Sequence, residues 1–130
     1  MTDRQGRSEL HNCALTGTAD EARALLAVGA DPSLQDRDGF TPLHLAAQQG
    51  NVDVAKVLLE NRVPVDAKNR FGNTALFVAV FNSKGDGELI RLLRDAGADP
   101  NTRNLAGQTP VGLSRLIANY DVAQFFVDVP

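Results

Sequence analysis

The sequence predicts an all-α solenoid of four stacked helix-turn-helix units, and three regularities predict it. Gly6, Gly39, Gly72 and Gly107 each close a short polar segment, at spacings of 33, 33 and 35 residues. Leu10, Leu43, Leu76 and Val111 each stand four residues beyond one of those glycines. Later in each unit comes an apolar pair: Leu25-Leu26, Val57-Leu58, Leu92-Leu93 and Phe125-Phe126. A unit this short cannot bury its apolar face alone, so a repeat near 33 residues implies that neighbours stack.

The elements follow in order. Inner helices are expected at about 8–16, 41–49, 74–83 and 109–117, and outer helices at about 19–27, 52–60, 87–95 and 120–127. The units then run over about 3–35, 36–68, 69–103 and 104–130, as one domain spanning 1–130. Thr41 suits the cap of its helix, and Pro42 the first helical position, where no amide partner is lost. Ala46 and Ala47 are small enough for helices to approach closely. Gly17 and Gly50 fit tight turns between helices that need positive φ. Val54, Val57 and Leu58 form the i, i+3, i+4 stripe of an amphipathic outer helix.

One segment carries more than periodicity. Asp36-Arg37-Asp38-Gly39-Phe40-Thr41-Pro42-Leu43-His44-Leu45-Ala46-Ala47-Gln48-Gln49-Gly50 resembles the ankyrin-repeat signature DxxGxTPLHxAAxxG at every fixed position. Gly29 to Pro32 and Gly97 to Pro100 resemble the turn between successive ankyrin units. The resemblance spans essentially the whole chain. It implies the β-turn fingers, a structural histidine bonding backbone in the adjoining turns, and protein binding without catalysis. The closing Leu116 to Phe126 stretch is similar to small bacterial stand-alone ankyrin proteins, some of which are immunity partners of secreted toxins.

Three departures from the pattern stand out. The third unit is two residues longer, within Asn82-Ser83-Lys84-Gly85-Asp86-Gly87, which describes a lengthened, mobile loop: either a tolerated insertion or a contact loop. Arg62 occupies a helix-terminating glycine position, so strain or a different cap is expected there. In the last unit Ser114 and Arg115 replace the paired alanines, as suits a terminal unit with one face in water.

Composition narrows the function classes. At 130 residues and 43% apolar content the chain suits one soluble domain needing no metal or disulfide staple. A net charge of −3 and few stacking aromatics speak against a nucleic-acid binder, and no apolar run approaches the ~20 residues of a membrane span. A lone Cys13 and a polar N-terminus lacking a signal peptide point to the cytoplasm. His11 and His44 sit at equivalent repeat positions, with Phe77 and Gly112 in the other two units, so no histidine column exists to hold a metal. Cys13 aligns with Ala46 and Ala79 and reads as a small buried thiol. Asp36 and Asp38 read as solvated turn carboxylates. No catalytic residue, metal site or cofactor is expected.

By ankyrin register, the partner-binding positions are Arg4 and Arg7; Arg37, Asp38, Phe40, Gln48 and Gln49; and Arg70, Phe71, Asn73, Phe81 and Asn82. Arg4, Arg37 and Arg70 occupy one position two residues before a finger glycine, with Arg7 extending the column. Such a column either recognises an acidic patch on a protein partner or is solubilising turn charge paired with Asp36 or Asp38. Phe40, Phe71 and Phe81 are aromatics at exposed positions beside arginine, the composition of interface hot spots. Phe81 has the alternative of packing under the long loop, and Phe71 of packing against the next finger. The chain is expected to be a monomer when free and to act either as an inhibitor, such as a toxin-immunity protein, or as a scaffold or adaptor subunit.

Overall fold

A computed structural model of the chain describes residues 2–130. Helices pair along it: α1 (Glu9–Thr16) with α2 (Ala19–Ala27), α3 (Pro42–Gln49) with α4 (Val52–Glu60), and α5 (Ala75–Asn82) with α6 (Glu88–Asp95). After α7 (Pro110–Leu116) the chain closes on a 3-10 helix, Val122–Phe126. Packing is sequential within each layer. Inner helices meet as α1·α3, α3·α5 and α5·α7, and outer helices as α2·α4 and α4·α6.

Capping chemistry sets where the helices begin. Ser8, Thr18, Thr41, Asn51, Thr74 and Thr109 each accept an amide from the first turn through the side chain. Asn51 also reaches back, its Nδ2 donating to Ala14 O (3.2 Å) and Gly17 O (3.1 Å), which ties α4 to the preceding pair. The positions that reveal the repeat form the core: Leu10, Leu43, Leu76 and Val111 are all buried, beneath Val54, Leu58, Ile90 and Leu93 of the outer layer. Truncating one of these leucines to alanine would cost ~2–5 kcal/mol, because rigid neighbours collapse only partly into the void.

Several expectations are corrected. Gly17 is not left-handed but extended, at φ −98°, ψ −171°. Its requirement is space, since a Cβ there would lie 2.7 Å from Cys13 Sγ and 2.9 Å from the Cys13 carbonyl. Gly50, by contrast, has the expected positive φ of 70°. Arg62 is forced into the left-handed region at φ 57°, the strain its place in a glycine position implies. The last outer helix is five residues of 3-10 rather than an α-helix over 120–127. That segment has no side-chain cap, and a helix so short has too few bonds to offset its nucleation cost.

The long loop is a packed seat. A Cβ at Gly85 would lie 3.0 Å from the Tyr120 ring, and one at Gly87 would overlap the ring of Phe125. The two extra residues therefore shape a surface onto which the closing segment settles. Arg94 fastens the same segment, pairing in a fork with Asp128 at 2.7 Å through both terminal nitrogens and donating to Phe125 O at 2.9 Å. Ser114 does not meet water: it is buried, and its hydroxyl donates to Val111 O at 2.6 Å. Only Arg115 lies on the surface, donating to Val129 O at 2.7 Å.

Candidate protein-binding face

Four short turns project beside the inner helices, and each is closed by its first side chain. Oδ1 of Asp3, Asp36, Asn69 and Asn104 accepts the amides two and four residues onward, at 2.9–3.1 Å. Backbone bonds then link neighbouring turns: Arg37 N–H to Gln5 O (2.8 Å), Arg70 N–H to Asp38 O (2.8 Å) and Leu105 N–H to Phe71 O (3.0 Å). The approach is close enough that a Cβ at Gly39 would lie 2.9 Å from Asn69 Cα, and one at Gly72 would lie 2.8 Å from Leu105 N. These glycines also have φ of 79° and 76°. Both requirements point to the one residue without a Cβ.

Asp36 is therefore no solvated carboxylate. It is buried, caps its own turn and pairs with Arg7 Nε at 3.3 Å. Arg7 is correspondingly engaged within the fold, its side chain only 24% exposed. The remaining arginines differ from one another. Arg70 bonds Asp38 of the preceding turn at 2.9 Å and lies 4.9 Å above the Phe71 ring. Arg4 and Arg37 are exposed and, among the described residues, make no ion pair.

The aromatics come together. Phe40, Phe71 and Phe81 line a pocket of about 320 Å³ with Asn69, Phe77 and Val78, at the edge between α3 and α5. Gln48, Asn73 and Asn82 supply its polar lining. Phe71 is 48% and Phe81 70% exposed, so neither packs away under the loop or the next finger. Gln49 lies outside this group, on the exposed end of α3. A larger hollow of about 450 Å³ between α1 and α2 is lined by Glu9, Asn12, Thr16 and Glu21 and has no aromatic residue.

Two comparisons bear on what such a face belongs to. The model of the ankyrin-repeat family, in three copies, matches residues 10–104. The chain is an ankyrin-repeat protein. A search of curated proteins found no match. Ankyrin repeats are protein–protein interaction modules, generally non-catalytic, and the turns and inner helices described above are their fingers and inner layer.

The ankyrin histidines act structurally. His44 Nδ1 accepts the Thr41 amide (3.1 Å), and its Nε2 lies 2.8 Å from Asn73 O of the next finger, so Nε2 carries the proton. His11 repeats this between Ser8 and Phe40 O. Burial holds the His44 pKa below its ordinary value, which favours the neutral ring this bridge requires. Burial likewise raises the Cys13 thiol, with Glu21 adding to the effect, and its Sγ–H donates to Thr18 O at 3.6 Å. A protonated, hydrogen-bonded thiol is a poor nucleophile. Among the described residues no group of His, Cys, Asp and Glu is placed to hold a metal, and no helix is long and apolar enough to cross a membrane.

Three pocket residues, Asn69, Phe77 and Val78, escape a reading by register alone. Phe77 stands where other ankyrin units have the bridging histidine, and that substitution is itself the signal: an imidazole tied to a finger is exchanged for an apolar wall. Asn69 carries no comparable signal, because its closing role is common to every finger.

Proposed function

We propose that this ankyrin chain binds a protein partner with its finger tips and exposed inner-helix ends, and that it does so as an inhibitor, of the kind an immunity protein is to its toxin. One observation carries the binding surface. Phe71 and Phe81 stand exposed around an open pocket that Phe40 and Phe77 also line. Clustered aromatics with one apolar face in water are the residues whose burial contributes most when a partner docks.

Arg4 and Arg37, free of internal ion pairs among the described residues, are the positions for an acidic patch on that partner. Arg70 and Arg7 contribute through the carboxylates they already hold. Residues 104–130, all but the first beyond the family match, are taken as a fourth, capping unit of one domain spanning 1–130. The free chain is taken as a cytoplasmic monomer. Resemblance to small bacterial ankyrin proteins supports the inhibitor role over that of a scaffold or adaptor.

Affinity capture from the native source, with mass spectrometry, tests both halves. A single stoichiometric partner, lost with Arg4→Glu plus Arg37→Glu and weakened by Phe71→Ala, supports the face; retention by both variants refutes it. An inhibitor must abolish the activity of the captured partner and protect cells that express it. Several weak partners with no protection would instead make the chain a scaffold.

A further inference from the structure

Each finger-closing side chain has a second polar atom left over, and in two of the four the fold uses it in the same way. It reaches for the residue that follows the preceding finger's glycine. Asp36 Oδ2 takes Arg7 Nε at 3.3 Å, and Asn104 Nδ2 donates to Asn73 Oδ1 at 2.8 Å. Between these two pairs, the same register sets Asn69 against Phe40, whose ring offers no acceptor oxygen. Asn69 Oδ1 is committed to the Phe71 and Asn73 amides at 2.9 and 3.1 Å, which fixes the orientation of the amide group. Its Nδ2 is left buried with no hydrogen-bond partner, in a residue only 6% exposed.

Buried polar atoms in native proteins are nearly always bonded, so an orphan donor on a residue that lines a cavity is where an incoming acceptor gains most. Only Arg94 Nε shares this condition among the described residues, and its guanidinium is otherwise held by Asp128. Phe40 and Asn69 both line the aromatic pocket, and no charged side chain does. About 320 Å³ is near the lower end for small-ligand sites, room for one large side chain rather than a folded element.

We infer that this pocket seats one uncharged apolar side chain of the partner polypeptide, and that the partner's backbone carbonyl beside that side chain accepts from Asn69 Nδ2. The inference rests on the protein-binding reading above and specifies the chemistry of its central contact. An apolar wall of Phe40, Phe71, Phe77 and Phe81 provides the burial. The amide provides direction, since only an occupant arriving with an acceptor satisfies it.

The probes are N-acetyl-phenylalanine methylamide, which carries a ring and two carbonyls, and toluene, which carries a ring alone. Proton–nitrogen NMR spectra of the full chain are recorded during titration. The capped amino acid should shift the Asn69 side-chain amide pair together with Val78, whereas toluene should shift Val78 and leave the Asn69 pair in place. Asn69→Asp keeps the closing oxygen, as Asp3 and Asp36 do in their own fingers, but removes the donor. It should weaken the capped amino acid about tenfold and leave toluene binding unchanged. Phe40→Arg combined with Asn69→Asp rebuilds the Arg7–Asp36 pair across the pocket, and should abolish binding of both probes at an unchanged melting temperature.

An unshifted Asn69 amide at saturation, or equal affinity for Asn69→Asp, overturns the inference. A captured partner held equally by wild type and Asn69→Asp would leave the protein-binding reading standing and sink this contact. Probe binding as described, with no partner captured by wild type, would do the reverse.

Discussion

Gly72→Ala and Gly107→Ala make the sharpest test of how the fingers are built. The two glycines have nearly the same φ, 76° and 78°, so the left-handed strain of an added Cβ is shared, at about 1–2 kcal/mol. They differ in what the methyl meets. At Gly107 nothing lies within 4 Å, whereas at Gly72 it would sit 2.8 Å from Leu105 N and 3.1 Å from Asn104 Cα. Those are backbone atoms and cannot rotate away. The next finger must move, and the Phe71 O to Leu105 N–H bond of 3.0 Å is lost or stretched, for about 1–2 kcal/mol more. Gly107→Ala should therefore cost about 1–2 kcal/mol and Gly72→Ala about 2–4 kcal/mol. Gly39→Ala should group with Gly72→Ala, because Asn69 Cα and Arg70 N would stand 2.9 and 3.0 Å from its methyl. Urea unfolding followed by far-ultraviolet circular dichroism gives each value, with the m-value checked for constancy. Equal costs at all three glycines would refute close finger contact as the cause and leave backbone strain alone.

Arg62→Gly should stabilise the protein by about 0.5–1 kcal/mol, because relief of left-handed strain exceeds the added freedom of the unfolded chain. A melting temperature that stays level or falls would contradict it. His44 has a depressed pKa in the folded state, so its contribution is present above about pH 6.5 and is lost as pH falls through the lower folded value. Melting curves of wild type should decline over that acid range more steeply than those of His44→Gln; parallel profiles would exclude His44 as the titrating group. Arg94→Met removes the fork to Asp128 and the bond to Phe125 O. Amide exchange over residues 122–130 should accelerate while that of α3 and α4 is unchanged, and uniform exchange throughout would show that the closing segment is not held there.

Much of this architecture is legible before folding because a solenoid writes the same local problem repeatedly. Capping residues, finger glycines and buried leucines recur at one spacing, and each is decided within a few residues, so the inner helices fall within about a residue of their expected bounds. What stayed hidden depends on partners a whole unit away. Asp36 looks like any turn carboxylate until Arg7, 29 positions earlier, is brought against it. Asn69 becomes distinctive only when its register partner is seen to be Phe40. Gly85 and Gly87 read as loop flexibility because nothing nearby announces that Tyr120 and Phe125 rest on them. The aromatics were visible individually, but their convergence on one pocket with Phe77 is a property of stacking.

The bonds between fingers have a bearing on how such a surface changes over evolutionary time. Gln5, Asp38 and Phe71 contribute a carbonyl to them, while Arg37, Arg70 and Leu105 contribute an amide. Every residue type owns the first group, and every type but proline owns the second. These backbone links between finger tips thus draw on chemistry that no side chain supplies. Mutation is free to rewrite arginine, phenylalanine or leucine there, altering what the face recognises while the lattice that presents it stays in place.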